Sequence, residues 1–536
     1  MGIDKPNHEV ALNKNGAQKM SVLIKTIPIT VKYGINMSLR IRVILPILII
    51  LFAVFLRFYK FEDFAMFLGD QGRDAIIIKR IITFEHFPAI GAPSSLGQIF
   101  LGPFYYYLIA PFLLFFNFKP VGPAVGVAVF SILGLIASYV VIRKETNYLV
   151  ALIFTIFLTF SAVNIQFSRF SWNPNLLPIF SFFTLYFFYK TITTKNKLHA
   201  VLFGSFLSFS IQLHHLALLL FLPIVLSYLS FRAKSRNLLH ADVKEISPRA
   251  SFGRNDIEKI FISLISFLFF SLPLIIFDLR HNFLNTRNFI NFFTEGNPTD
   301  HEQLFSRFLE INRSFYLHVL QLNMNHYIAL FLTIAIIFLI VKKHLSPKFL
   351  FIYLHAFNFI FFIVVFSFFN SSRNAHYYSS IYLSFFLVLS WIITNIVKNK
   401  TVQFFVLSLT VLTYIYLNFK SLNYLFLKTG NNQIKKAETI ALSMLKENPL
   451  IPFQTIALPY VETDGHIRYF LELNGKRPLP ADTLEEPKEL YVLCFEKDCQ
   501  VLGNPQWQIA AFKKAKIDKI WTVEGIKIYK LIHINN

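Results

Sequence analysis

The sequence predicts a mainly α-helical protein, a polytopic transmembrane helical bundle of about eleven spans followed by a C-terminal extracytoplasmic α/β domain. Hydrophobic residues make up 54% of the 536, and charged residues make up only 15%, too few to coat a soluble chain of this length. The 64 phenylalanines and 23 tyrosines fit lipid-facing helices with interfacial aromatic belts. The net charge of +22 comes from lysines and arginines that stand mainly between apolar runs, which argues against a nucleic-acid partner.

The first forty residues predict a cytoplasmic N-terminal segment, 1–40, ahead of an uncleaved first span. Basic residues recur up to Arg40, and the apolar run 43–56 follows them. The charged and aromatic sequence RFYK ends this run where a signal peptide would carry a small-residue cleavage site. We therefore expect the N-terminus in the cytoplasm and a multi-pass protein of the plasma membrane.

Further apolar runs of helical length predict a transmembrane domain over 41–419. They lie at 121–142, 148–167, 176–189, 198–231, 260–277, 320–341, 349–369, 378–397 and 401–419. The run 198–231 is long enough for two short spans, which brings the total to eleven. Basic residues fall in alternate connecting segments, as the positive-inside rule requires of cytoplasmic turns.

The stretch 102–118, GPFYYYLIAPFLLFFNF, is apolar but would disturb this alternation if it crossed the membrane. Its prolines and its tyrosine triplet predict a helix that lies in the outer interface. The alternative is an ordinary span, which would invert every later loop.

The segment 420–536 contains no long apolar run, which predicts a soluble domain. The odd number of spans places this domain outside the cytoplasm. A helix is predicted over 432–447, and strands over 455–458, 490–495 and 526–532. The segment 460–475 is predicted to be a helix packed within this domain, without a catalytic role. Cys494 and Cys499 are candidates for a disulfide in an oxidising compartment; two free thiols are the alternative, and a zinc site would need more ligands.

Five polar clusters share the outer face in this topology, and ionisable residues held against a bilayer are costly enough to mark sites. They are FLGDQGRD (67–74), RFSWNPN (169–175), QLHH (212–215), DLRH (278–281) and RNAHYY (373–378). The first cluster is predicted to be a charged loop directly after the first span, and a functional role is favoured for the Asp70 carboxylate over simple hydration in that loop. Asp74 has an equal alternative as the cap of a helix that begins at Ala75.

The clusters supply ten candidate substrate-binding residues: Asp74, Arg73, Arg169, Asn173, Asp278, Arg280, His281, Arg373, His376 and Tyr377. Structural alternatives are a proline-bounded turn at RFSWNPN and a local ion pair between Asp278 and Arg280. Arg373 and His376 either receive a phosphate or anchor the interface. The QLHH histidines, His214 and His215, fall between two short apolar halves, where a polar hairpin is needed in any case. A metal role for them is disfavoured, because neighbours on a helix point in different directions.

The acidic motif after the first span, the GPFYYYL stretch and Ser168–Arg169 resemble the polytopic glycosyltransferases that use polyprenyl-phosphate sugars, the GT-C superfamily. The nearest resemblance is to dolichyl-phosphate-mannose–protein mannosyltransferase-like and Rgt-like bacterial enzymes. It covers 41–397 in architecture and about the first 180 residues in motif. It implies that Asp70 is the catalytic carboxylate.

The chain also departs from the pattern of that superfamily. LGPF (101–104) replaces an HPPL-like segment, and Asn173 and Asn175 stand where an acidic residue is usual. The metal ligands are therefore unknown, no cofactor is certain, and a divalent metal stays an open alternative. No Walker A loop, Rossmann fingerprint, HExxH or GxSxG occurs, so a cytoplasmic nucleotide donor is unsupported.

The resemblance implies a mannosyltransferase-like hexosyltransferase of the cell envelope. It would move a sugar, with inversion, from a polyprenyl-phosphate-linked donor to an acceptor hydroxyl on the extracytoplasmic face, with Asp70 as base. The expected partners are that donor, a glycan, lipid or protein acceptor, and membrane lipids, with no nucleic acid. Alternative functions are a flippase or transporter of lipid-linked sugars, a polymer ligase, and a non-catalytic envelope assembly subunit. A transporter would predict charges near the bilayer midplane and related halves, and neither pattern is found.

Overall fold

The computed structural model describes residues 39–94, 98–229, 254–294, 303–342, 349–369, 373–395 and 399–534. The described chain is helical over most of its length and has one four-stranded sheet near its C-terminus. It divides into two units, Met1–Pro46 and Ile47–Asn536, and the second contains the sheet and most of the helices. The prediction of a mainly α-helical chain with a small C-terminal α/β domain is confirmed.

Twelve helices in the described part of the chain are apolar enough to lie in a membrane. Five also have the length to cross one: Arg40–Phe58, Val121–Glu145, Asn173–Thr193, Ile257–Arg280 and Lys400–Ser421. The shorter ones are Phe104–Phe115, Tyr148–Phe160, Leu198–Leu213, His215–Leu229, His326–Lys342, Leu350–Phe366 and Tyr382–Asn395. All except Phe104–Phe115 overlap one of the predicted runs, and the run 198–231 divides into two helices. The chain is an integral membrane protein with a polytopic helical bundle.

Helices of other kinds connect and flank these segments: Phe61–Phe64, Gly69–Ile82, Ala162–Phe167, Leu284–Thr294, Leu304–Leu320 and Tyr424–Leu427. The predicted run 320–341 starts too early, because a separate helix ends at Leu320 and Gln321 follows it in the left-handed conformation, with φ 56°. Hydropathy missed the helix Leu304–Leu320 because charged residues alternate with apolar ones along it, as in an amphipathic helix.

The C-terminal domain contains a mixed sheet of strands β1 (Phe453–Leu458), β2 (Glu489–Cys494), β3 (Ala515–Val523) and β4 (Ile526–His533), in the order β1-β2-β4-β3. Strands β1 and β2 are parallel, and the other pairs are antiparallel. The helices are Gln433–Leu445, Gly465–Leu473 and Trp507–Ala511. Strand β3 was not predicted, because it is an exposed edge strand whose charged residues break the apolar signal. Cys494 and Cys499 form a disulfide at the end of β2.

The acidic segment after the first span is a helix, which we call the site helix (Gly69–Ile82). The predicted charged loop at 67–74 is therefore wrong, and Asp74 lies inside the helix instead of capping one that begins at Ala75. Gln71 starts the helix, because its side-chain oxygen accepts from the backbone N–H of Leu68 at 3.0 Å. The first turns of this helix contain two glycines, Gly69 and Gly72, although glycine has a low intrinsic helix propensity.

Those glycines are explained by a second helix, which we call the domain helix (Gly465–Leu473). A Cβ on Gly72 would lie 2.2 Å from the carbonyl carbon of Gly465, so the two backbones touch where they cross. The predicted helix 460–475 thus exists with shorter bounds, and it packs against the site helix as well as within its own domain. The domain boundary at 420 stays a prediction.

Candidate functional site

Arg73 joins the two carboxylates of the site helix into one charged unit. Its Nη1 donates to Oδ1 of Asp70 at 2.8 Å. Its Nη2 and Nε donate to Oδ1 of Asp74 at 2.8 and 3.0 Å. The Asp70 side chain is 50% exposed, whereas that of Asp74 is 1% exposed. One carboxylate therefore faces outward and the other lies beneath it, with the guanidinium between them.

Asp74 is the buried member of this unit. Burial raises the pKa of the Asp74 carboxyl above its usual range, although the charge and hydrogen bonds of Arg73 oppose the shift. The hydroxyl of Tyr106 also donates to Asp74 Oδ1, at 3.2 Å. These contacts suit a residue that holds Arg73 in place, since Asp74 is too enclosed to receive a proton from an incoming substrate.

The tyrosine triplet belongs to a helix, which we call the tyrosine helix (Phe104–Phe115), packed against the site helix. Besides the bond of Tyr106 to Asp74, Tyr105 shares a hydrogen bond of 2.7 Å with the hydroxyl of Ser171, and Tyr107 donates to the carbonyl of Pro88. The triplet thus links the site helix to the RFSWNPN segment. The helix's twelve residues rise about 18 Å, less than the roughly 30 Å of a bilayer core, and its interfacial position stays a prediction.

A cavity of about 560 Å³ adjoins the outward face of the site helix. Its volume lies in the range of small-molecule sites. Its polar and aromatic lining consists of Asp70, Arg73, Ser94, Trp172, Asn173, His214, His215, Phe289, Phe366, Phe369, Asn374, His376 and Tyr377. Asp70 is the only carboxylate among the described residues that line it. The remaining lining is apolar: Ala92, Pro93, Leu101, Pro174, Leu216, Leu218 and Leu219.

One wall is a cluster of rings from three distant segments. Trp172 lies edge-on to His376 with ring centroids 4.7 Å apart, and His214 lies 5.9 Å from His376 and 5.7 Å from Tyr377. Asn173 joins two of the segments, because its side-chain nitrogen donates to the carbonyl of Leu213 at 2.7 Å. Burial lowers the pKa of His376 to about 4, so this imidazole is neutral near pH 7 and acts by hydrogen bonding and stacking.

The structure brings five of the predicted site residues to the cavity: Asp70, Arg73, Asn173, His376 and Tyr377. Asp74 contacts the cavity only through Arg73. Arg373 precedes the lining residue Asn374, and its backbone carbonyl accepts from Ser314 Oγ and His318 Nε2, which fixes the segment to the helix Leu304–Leu320.

Arg169, predicted as a substrate-binding residue, is not among the residues that line the cavity. Its buried guanidinium donates to the carbonyls of Leu56, Arg57, Tyr59 and Lys60 at 2.7 to 3.2 Å, at the end of the first helix. A cation at a helix C-terminus satisfies carbonyls that lack intrahelical partners. Arg169 therefore ties the second outer segment to the first.

The DLRH cluster is also absent from the lining. The carboxylate of Asp278 accepts from the backbone N–H groups of Asn285 and Thr286, at 2.7 and 3.3 Å. It thus caps the next helix, and the alternative of an ion pair with Arg280 is not formed in the described structure. Arg280 is exposed, and the ring of His281 stacks on Phe277 at 4.1 Å. The cluster's contribution to the cavity is indirect, since the capped helix carries Phe289.

His214 and His215 also line the cavity, although they are not among the predicted site residues. The helix ends at Leu213 and a 3-10 turn starts at His215, so both side chains reach the cavity instead of diverging as neighbours within a helix do. His215 Nε2 is buried without a hydrogen-bond partner among the described residues. The signal was present in the polar QLHH interruption of an apolar run, since polar groups at that depth are costly.

A metal ion is not suggested by the arrangement of the described residues, which contain no group of three or more His, Cys, Asp or Glu side chains that could hold one. Asp70 has an arginine, not a second carboxylate, as its neighbour. The cavity offers instead one carboxylate, one guanidinium, neutral imidazoles and a large apolar surface. That set can accept a proton, pair with an anion and bind an apolar chain.

The fold is similar to that of a solved GT-C membrane glycosyltransferase. One solved structure with this fold is that of ArnT from Cupriavidus metallidurans bound to undecaprenyl phosphate. The TM-score is 0.57 at 11% sequence identity, and the match covers 90% of this chain and 97% of ArnT. ArnT in the apo state gives a TM-score of 0.56 with the same identity and coverage. The Archaeoglobus fulgidus oligosaccharyltransferase in the apo form follows at 0.48, with 11% identity and coverage of 82% of this chain and 64% of that one.

No protein-family model matches the chain, and no curated protein matches its sequence. The resemblance to the GT-C superfamily that the sequence suggested is confirmed by the fold alone.

Proposed function

We propose that the protein is a membrane glycosyltransferase that moves a sugar from a polyprenyl-phosphate donor to an acceptor hydroxyl. The observation that carries the proposal is Asp70, the single carboxylate of the described cavity lining, held by Arg73 at the mouth of an aromatic cavity. The fold shared with ArnT, whose solved structure holds undecaprenyl phosphate, supports the same donor chemistry here.

The reaction needs one base. Asp70 accepts the proton of the acceptor hydroxyl as its oxygen attacks the anomeric carbon, and the bond from that carbon to the phosphate oxygen breaks. The phosphate leaves as a stable anion, so the second carboxylic acid of glycosidases is unnecessary. A single displacement inverts the anomeric carbon.

The other cavity groups have separate tasks in this mechanism. Arg73 keeps Asp70 oriented and lends positive charge where the donor phosphate develops negative charge. Trp172, Phe366 and Phe369 provide apolar surface for the first isoprene units of the donor. Arg373, beside the lining residue Asn374, is proposed as a further partner for the phosphate.

The transferred group in this proposal is a hexose, and the acceptor hydroxyl belongs to a glycan, a lipid or a protein. The cavity and the C-terminal domain face the extracytoplasmic side of the plasma membrane. A polyprenyl-phosphate sugar fits that side, because it reaches the site by diffusing in the bilayer and needs no soluble nucleotide donor.

The replacement Asp70→Asn tests the base. The purified variant should fold as wild type but lose sugar transfer from a labelled polyprenyl-phosphate hexose by about 10³-fold, since the amide cannot accept the proton. Asp63→Asn is the matched control, because Asp63 is an exposed carboxylate seven residues earlier that does not line the cavity. Wild-type turnover in Asp70→Asn would remove Asp70 from the mechanism.

The same assay separates the alternatives. A flippase moves the donor between leaflets without consuming it, and an assembly subunit leaves it unchanged. Only a transferase converts it to polyprenyl phosphate and a glycosylated acceptor.

A further inference from the structure

The C-terminal domain touches the site helix through backbone, not only through side chains. A Cβ on Gly465 would lie 2.5 Å from the carbonyl oxygen of Gly69, and one on Gly69 would lie 1.4 Å from Thr463 Oγ1. Side-chain carbon atoms do not approach other heavy atoms so closely. Glycine is therefore required on both helices for the distance at which they cross.

A charged cluster fixes the far end of the same contact. Glu472 of the domain helix is buried, and its carboxylate accepts from Arg80 Nη2 at 2.7 Å and from Lys79 Nζ at 3.3 Å on the site helix. Arg477 Nη2 joins Glu472 at 2.9 Å and also pairs with Glu85, just beyond the site helix. A cluster of this kind resists both sliding and rotation of one helix on the other.

The domain also holds the residues on either side of the site helix. Gln433 Oε1 accepts from the backbone N–H of Phe67 at 2.9 Å, and the ring of Phe67 lies edge-on to Tyr469 and Phe470. Tyr469 donates through its hydroxyl to the carbonyl of Phe118, beyond the tyrosine helix. The site helix is thus enclosed between the tyrosine helix and the C-terminal domain.

None of the described residues that line the cavity belongs to the C-terminal domain. We propose that the domain helix positions the site helix, so that Gly465 and Glu472 are positioning residues for Asp70. This inference rests on the proposed glycosyl transfer. Its consequence is that the domain controls the chemical step without touching the substrate.

A displacement of the site helix would affect the base Asp70 and the donor-binding wall differently. The wall that would hold the donor comes from Trp172, His376 and Tyr377, outside the contact with the domain helix. Moving the site helix should therefore misplace the base and leave most donor contacts intact. The expected signature is a lower kcat with a nearly unchanged donor KM.

The experiment measures transfer by the full-length protein in lipid nanodiscs, with labelled polyprenyl-phosphate hexose at varied concentration. Gly465→Ala forces the crossing helices apart, and kcat should fall by about 10²-fold, the cost of an ångström-scale misplacement of a catalytic group. The donor KM should stay within about threefold. A wild-type kcat, or a loss confined to KM, would overturn the proposal.

Gly525→Ala is the matched control for simple destabilisation of the domain. Gly525 lies in the β3–β4 turn at φ 80°, where a Cβ strains the backbone but meets nothing within 4 Å. Its kcat should stay within about threefold of wild type. A loss equal to that of Gly465→Ala would show that only domain stability matters and would overturn the positioning role.

Glu472→Gln serves as a second variant and decides the question if Gly465→Ala fails to fold. It removes the charge without changing shape, and kcat should fall by about tenfold, whereas Glu472→Asp should recover most of the loss. Equal activity of the Gln and Asp variants would contradict the proposal. A wild-type protein that consumes no polyprenyl-phosphate donor would instead overturn the proposed function, and this inference with it.

Discussion

Arg73 makes different bonds to the two carboxylates that it joins. It meets buried Asp74 with two nitrogens and Asp70 with one. The pairing with Asp74 fixes the guanidinium plane, which leaves the remaining nitrogen to orient Asp70. A lysine could not reproduce this fork, since its ammonium is a single point charge.

Arg169 shows that a buried cation on the outer face need not bind substrate. Replacing it with methionine keeps much of the volume but leaves the carbonyls at the end of the first helix without donors. We expect Arg169→Met to lower the free energy of unfolding by about 2 kcal/mol, with an unchanged donor KM. Unfolding in detergent and donor titration measure the two quantities.

The matched control for that variant is Arg280→Met, which removes an exposed arginine. Its unfolding free energy should change by less than about 0.5 kcal/mol. A raised donor KM in Arg169→Met, with unchanged stability, would restore the substrate role that the sequence suggested.

At the scale of elements, the site helix depends on the domain helix for its place, and Glu472 makes that contact sensitive to pH. Burial alone would raise the pKa of Glu472, but the hydrogen bond and charge of Arg80, together with Arg477 and Lys79, lower it below the ordinary value of 4.5. A carboxyl with a lowered pKa stabilises the folded state fully above its ordinary pKa. That stabilisation is lost as the pH falls through the lowered value.

We therefore expect wild type to unfold at a higher Tm than Glu472→Gln at pH 7, and this difference should shrink as the pH falls below 4.5. Thermal unfolding followed by tryptophan fluorescence at several pH values measures it. A difference that stays constant with pH would show that the charge of Glu472 does not stabilise the contact.

Most apolar helices could be predicted from the sequence, because a bilayer demands continuous hydrophobic runs that stand out without any tertiary information. The helix Leu304–Leu320 and strand β3 were missed, since both carry charges on an exposed side. The site helix could not be predicted from local sequence, because Gly69 and Gly72 disfavour an isolated helix. Only a contact with residues almost 400 positions later explains them.

The site could be predicted in part, because polar residues stand out against apolar runs. Asp70, Arg73 and His376 stood out as polar residues at the ends of apolar runs, and they do meet at the cavity. Arg169 and Asp278 stood out equally but bind backbone groups of neighbouring helices. The sequence reports that a buried polar group needs a partner; it does not report whether that partner is a ligand or the chain itself.

At the scale of the whole molecule, the disulfide of the C-terminal domain offers a test of orientation. The proposed extracytoplasmic location places Cys494 and Cys499 in an oxidising compartment, where their bond persists. In intact cells a membrane-impermeant maleimide should add no label before treatment with an impermeant reductant and one label after it, at the partly exposed Cys499, since Cys494 is buried.

The mass of the labelled protein measures that outcome, and the variant Cys494→Ala/Cys499→Ala is the control for background labelling. Labelling that requires permeabilised cells would place the domain in the cytoplasm. That result would also invert the proposed side of sugar transfer.

The close contact between Gly72 of the site helix and Gly465 of the domain helix has a consequence for biosynthesis. The ribosome makes Gly72 early and Gly465 late, and nearly the whole membrane bundle is synthesised between them. The site helix of a nascent chain is therefore made long before the domain helix that contacts it. On the proposed role of the domain helix, competence for transfer arrives only near the end of translation, and a product truncated before Gly465 would bind the lipid donor without transferring its sugar.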